Sequence, residues 1–341
     1  MVDGKKSVAA DTSRLLEHQL KVADRAMARL ARSQDGDDSL HDFRVAIRRI
    51  RSRLALHRDG AKGVRSLLRD LRKLSRTSDI ARNAEVWLAL LDTLGVGSTR
   101  QESEGVTQMR AQLARTADEE WACARAAAQC RYPDLRARMR VLASRLAEDD
   151  QAEYEGEVPR YRAQARHLWR DLDEALSIAW PEMESESAHR ARLLAKRLRY
   201  LLESDESIYG QGACGDVIDA LKALQTHFGE WRDAQLFGEW LTDAAASACG
   251  AQARDMMRAA LREDVQGFAI LRTHEALPGL VYLATQLSAH LAMLRGRLQD
   301  WYTGGEARAL RQRLEALLTE RDRPAAMDVG HSSGMSGGES R

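Results

Sequence analysis

HDFRVAIRRIR, residues 41 to 51, carries two patterns at once. Phe43, Ile47, Ile50 and the following Leu54 recur every three or four residues, the spacing of one apolar helix face. His41, Arg44, Arg48 and Arg51 keep the same spacing and, at 100° per residue, fall within an arc of about 80°. The stretch therefore reads as a helix with a basic ladder beside a packing seam. Successive rungs stand roughly 5 Å apart along the axis, where like charges repel by about a few tenths of a kcal/mol per pair. Such a row is either neutralised by acids on neighbouring helices or made for an anionic partner.

The pattern returns in HRARLLAKRLR, residues 189 to 199. At an offset of 148 residues, His41 matches His189, Arg44 matches Arg192, Arg48 matches Lys196, Arg49 matches Arg197, Ile50 matches Leu198 and Arg51 matches Arg199. Leu20 and Leu54 fall opposite Leu168 and Leu202, and IARNAEVWLALL at 80 to 91 resembles EWRDAQLFGEWL at 230 to 241. The chain reads as a duplicated helical bundle, and recurrence of the ladder favours the anionic partner over a chance run of solvated charge.

Composition agrees with an all-α fold. Ala, Leu, Arg and Glu are abundant, the 341 residues include five prolines, and 44% are hydrophobic, enough to bury a sizeable core. Periodicity predicts helices near 11–33, 38–58, 62–76, 79–94, 105–130, 133–149, 159–179, 187–206, 214–227, 231–247, 250–274 and 278–321, the last broken near Gly304-Gly305. The expected organisation is a polar tail over 1–10, one bundle over 11–150, a second over 151–321 and a Gly/Ser-rich tail over 322–341, the two tails unfolded. The stretch from Ala276 to Leu294 lacks Lys, Arg, Asp and Glu, but Pro278, Gln286 and His290 interrupt it, so the expectation is a soluble, cytoplasmic protein without a membrane partner. Cys123, Cys130, Cys214 and Cys249 form no CxxC pair, and they read as free thiols in a reducing compartment.

With 52 Lys plus Arg against 51 Asp plus Glu, an electropositive site must come from the distribution of charge. Arginine dominates the two ladders, and its planar fork engages two phosphate oxygens at once. His41 and His189 open the ladders: protonated, each donates to phosphate and tightens binding below about pH 6.5, or each braces its helix start. Lys73, Arg76, Arg166 and Arg170 are further candidate ligands, with Arg295 and Arg297 later in the chain. Tyr200 lies beside the second ladder, where packing suits it better than ligation.

There is no P-loop, dinucleotide glycine turn, HExxH or G-x-S-x-G, so neither a catalytic site nor a cofactor or metal is expected. Glu153-Tyr154-Glu155-Gly156-Glu157 reads as linker and not as a metal site. Nucleic acid is the rival partner, because arginine ladders neutralise any phosphate backbone. Aromatics are 5% of residues and do not interleave with the basic rows, which disfavours stacking on single strands.

The paired H-x-x-R ladders resemble the signature of the CHAD family, the conserved histidine α-helical domain, over roughly residues 11 to 321. The resemblance implies two four-helix bundles related by a pseudo-twofold axis, with a basic groove that binds inorganic polyphosphate and association with polyphosphate granules and their proteins. It assigns that role to His41, Arg44, Arg48, Arg49, Arg51, His189, Arg192, Lys196, Arg197 and Arg199. The triphosphate-tunnel domain that accompanies many relatives has no counterpart in this sequence. One departure is Asn83, which stands where Arg232-Asp233 carries the carboxylate of the family pattern.

Overall fold

The computed structural model describes residues 8–32, 38–57, 63–148, 154–179, 185–204, 209, 212–264, 266 and 276–319. Among them there is no strand. The helices are α1 (Val8–Arg32), α2 (Asp38–Leu54, continued by a short 3-10 turn), α3 (Val64–Arg76), α4 (Asp79–Leu94) and α5 (Arg100–Glu148). They are followed by α6 (Tyr154–Ala179), α7 (Ser185–Ser204), α8 (Gly215–Leu261), α9 (Ala276–Thr303) and α10 (Glu306–Thr319).

Two apolar cores organise these elements. In the first, Leu16 and Leu20 of α1, Phe43, Ile47 and Ile50 of α2, Leu67 and Leu71 of α3, and Met139 of α5 are all buried. This is a four-helix arrangement in which the apolar seam of residues 43 to 54 faces inward, so the adjoining basic row is held at its edge. In the second core, Leu172 of α6, Leu198 of α7, Leu221 and Phe237 of α8, Leu283 of α9 and Leu314 of α10 pack with Leu91 of α4 and Leu113 of α5.

The boundary between the cores does not fall at residue 150. Helix α5 is 49 residues long, ~75 Å by the α-helical rise, so its first half joins the second core and its last half joins the first. Helix α4 likewise packs against α8 and α9, and the second core is larger than a four-helix bundle.

Several expected helix breaks are absent. Pro133 lies inside α5, where the buried positions Ala128, Tyr132, Leu135 and Met139 run past it without losing register. Continued burial outweighs the single hydrogen bond a proline removes. The expected helices at 214–227 and 231–247 and the first part of that at 250–274 form one helix, α8; residues 267–275 lie outside the described part. Gly238, inside α8, lets Leu287 of α9 approach closely: a Cβ there would lie 3.3 Å from that side chain. The break at Gly304-Gly305 occurs as expected, with Gly305 at φ +106°. Tyr154 to Glu157 belong to the first turns of α6 and are not linker; Glu153 lies outside the described residues. So do 1–7 and 320–341, which hold most of the expected polar tails.

Helix α9 is long and apolar enough, by length and composition, to cross a membrane. The polar residues within it do not shorten it as expected, and Leu280, Leu283, Leu287, Leu294 and Leu298 are buried in the second core while Val281 and Met293 are exposed. Cys214 is buried, Cys123, Cys130 and Cys249 are exposed, and none of the four is disulfide-bonded.

Candidate anion-binding site

Helices α2 and α7, each carrying one basic ladder, pack against each other. The seam of α2 turns Arg44, Arg48 and Arg51 toward a cavity of about 240 Å³, whose far wall carries Lys196 of α7. The end of α3 supplies Ser75, the α3–α4 turn Thr77 and Ser78, the start of α4 Asp79 and Arg82, and α5 Trp121 to the same lining. Five cations and a single carboxylate therefore line this space, together with His41 at its edge.

The half-buried Arg44 donates to the carbonyl of Ser78 and lies 3.9 Å from the Asp79 carboxylate. That carbonyl also accepts the backbone N–H of Arg82 at 3.2 Å, so the guanidinium adds a second donor at the start of α4. The same guanidinium sits 5.8 Å from the centroid of Trp121, whose indole N–H donates to Glu85 at 2.6 Å. Arg51 donates to Ser75 Oγ at 3.1 Å, and the Ser75 hydroxyl donates onward to the Leu71 carbonyl at 2.9 Å.

Burial pushes Arg44 and Arg51 below the usual guanidinium range. Neighbouring cations add to the effect, Arg82 and Arg48 on the first, Arg72 and Arg76 on the second, while Asp79 opposes it on both. Lys196 shows the convergence most clearly. Burial, and after it the charges of Arg48, Arg192, Arg51 and Arg199, push its ammonium from 10.5 down to about 8. Two of those cations come from each ladder. A lowering of that size corresponds to roughly 3 kcal/mol held against the charged form, and the part due to the neighbouring cations is what an anion would offset.

The second ladder is braced chiefly by α7 and α8, with Arg82 of α4 nearby. Arg192 crosses Gly229 of α8, where a Cβ would lie 3.6 Å from its guanidinium nitrogen. Asp233 is pushed up by burial and held back by Arg192, Arg82 and Arg232, so one carboxylate faces cations from α7, α4 and α8. Arg199 lies 3.3 Å from Glu203 and 4.6 Å from the ring centroid of Tyr200, which also has Lys196 at 5.9 Å. Tyr200 is thus a packing surface for two ladder cations. His189 is exposed, and burial followed by Arg192 and Arg232 pushes its pKa down, which moves its protonation below the expected pH 6.5.

Not every expected ligand reaches this place. Arg49 and Arg197 are exposed and belong neither to the cavity lining nor to the charges acting on Lys196. Lys73 lies among the cations around Asp70, where Arg138 bonds at 2.9 Å, whereas Arg76 acts on Arg51. Arg166 and Arg170, on α6, do not line the cavity. Arg297 pairs with Glu230 at 3.7 Å in a separate groove between α4, α8 and α9. In return, the structure adds Arg72, Arg82, Arg232 and Trp121. Arg82 and Arg232 were readable from the second repeated segment, where they coincide at an offset of 150; Arg72 and Trp121 had no such signal. Among the described residues no group of acidic, histidine or cysteine side chains is placed to hold a metal ion.

The family model of the CHAD domain matches residues 14–242, two thirds of the chain, including both ladders. The chain belongs to the CHAD family. The CHAD fold is found again in the crystal structure of the CHAD domain from the plant Ricinus communis, with a TM-score of 0.60 and 24% sequence identity. That match covers 84% of this chain and 94% of the plant one. No curated protein matches the chain in sequence.

Proposed function

We propose that this CHAD protein binds inorganic polyphosphate, as a non-catalytic receptor that places the chain on polyphosphate granules. The observation that carries the reading is the seating of Lys196 among Arg48, Arg51, Arg192 and Arg199, cations drawn from two helices and gathered where one carboxylate lines the cavity. Folding brings like charges together here against their mutual repulsion, and a flexible polyanion relieves it at several points at once. Guanidinium forks suit phosphate oxygens, and charge-assisted bonds in a partly buried site are stronger than those in water.

Polyphosphate suits the site better than nucleic acid does. The Trp121 ring has Arg44 beside it and its N–H committed to Glu85, and Tyr200 is covered by Lys196 and Arg199. Each ring already has a cation beside it, which competes with the base stacking that sequence-tolerant single-strand binding uses. A titration of labelled long-chain polyphosphate against wild type and the R48E/K196E variant tests the reading. Tight binding by wild type and its loss in the variant are expected; equal binding by both would reject it.

A further inference from the structure

The two halves of the site neutralise their leading arginines differently. In the first half Arg44 faces Asp79, the first residue of α4, and the position one turn later is Asn83. In the second half the residue at the place of Asp79 is Gly229, over which Arg192 crosses, and the carboxylate is Asp233, the counterpart of Asn83. Each half thus keeps one carboxylate on the same helix face, shifted by one turn. The shift changes its setting: Asp233 is drawn among Arg192, Arg82 and Arg232, whereas the Asp79 side chain is 59% exposed and lines the cavity itself.

We propose that Asp79 is a built-in counter-anion that occupies Arg44 in the free protein and is displaced from it when phosphate enters. This rests on the polyphosphate reading and assigns the residue that sets its affinity. Three features support it. At 3.9 Å the pair is a loose contact, while Arg44 is anchored independently by the Ser78 carbonyl, so losing Asp79 leaves the guanidinium in place. Asp79 is the one carboxylate lining the cavity, and its charge reaches both Arg44 and Arg51. A tethered carboxylate also competes at an effective concentration on the order of millimolar or above. An isolated phosphate ion must overcome that competition, whereas a polymer displaces Asp79 while its other phosphates are already held along the ladders.

A double-mutant cycle on long-chain polyphosphate binding tests this, using D79N, R44Q, the double variant and D79E. An exposed ion pair contributes roughly 0.2–1 kcal/mol, so D79N should bind about 1.4- to fivefold tighter than wild type. D79E should stay near wild type, and the gain should shrink in the R44Q background, where only the effect on Arg51 remains. A D79N protein that binds no tighter, or a gain undiminished by R44Q, overturns the assignment while leaving polyphosphate binding intact. Wild type that binds no polyphosphate overturns the functional reading, and the assignment with it.

Discussion

Lys196 of α7 and Arg48 of α2, 148 residues apart in the chain, line the same cavity as cation facing cation. They are also the matched rungs of the two ladders. Repetition in the sequence thus becomes juxtaposition in space, and the consequences for binding and for stability can be measured.

The first consequence is proton linkage at Lys196. Its pKa falls from 10.5 to about 8 on folding, so the unfolded chain binds more protons between those values and stability rises with pH across that window. A bound polyanion would oppose the lowering, because it offsets the charges of the neighbouring arginines. Affinity should therefore fall as pH rises above 8, by up to about tenfold per unit, and binding at pH 8 to 9 should take up a proton. Calorimetric titrations in buffers of different ionisation heat measure the uptake, and K196R should remove it while binding persists.

Charge reversal separates binding from folding. R48E and K196E remove cations from a crowded cluster, so each should weaken polyphosphate binding at least tenfold while leaving the melting temperature level or raised. R44E also takes the second donor from the Ser78 carbonyl and should cost about 1 kcal/mol of stability. Chemical denaturation beside binding curves distinguishes the two classes.

The ladders are not uniform in effect. R72Q and R82Q, neighbours of Arg51 and Arg44, should weaken binding severalfold. K73Q, R49Q and R197Q should change it little beyond the loss of one distant charge. If all five variants weakened binding equally, a diffuse field would explain it better than a formed site.

A buried network at the end of α2 governs acid stability. Thr12 Oγ1 accepts from the buried Arg53 at 2.8 Å and lies 2.9 Å from Nε2 of His57. Which of the two donates follows the His57 tautomer, and the adjacent Arg53 disfavours the charged ring in either case. Burial and Arg53 push His57 down to about 4, so stability present above pH 6.5 should be lost as pH falls toward 4, by up to about 3 kcal/mol. H57Q should flatten that part of the stability profile.

The ladders, the helix faces and the Gly304-Gly305 break were legible in the sequence because each is a local pattern of period 3.6 or a local backbone requirement. The expected breaks just before Pro133, around Gly229 and at 248–249 misled for the same reason. Local preference argues for a break at each, but all three lie inside long helices, one along a buried face and another where Arg192 crosses. The inclusion of α4 and half of α5 in the second core depends on contacts between distant segments, which periodicity does not encode. Arg72 and Trp121 escaped notice for that reason too, since only the fold brings α3 and α5 to the ladder of α2. The Asn83 departure was visible, but its counterweight at Asp79 became apparent only beside Arg44.

The most direct test of the central claim is polyphosphate affinity across a salt series, with single-stranded and duplex DNA of matched charge as competitors. If six or more cations engage the polymer, analogy with nucleic acids predicts a loss on the order of 10³-fold or more between about 50 and 200 mM salt. Tight binding that DNA fails to displace is the expected result. Equal displacement by DNA would make the cavity a general polyanion site, and no binding at any salt concentration would contradict the account.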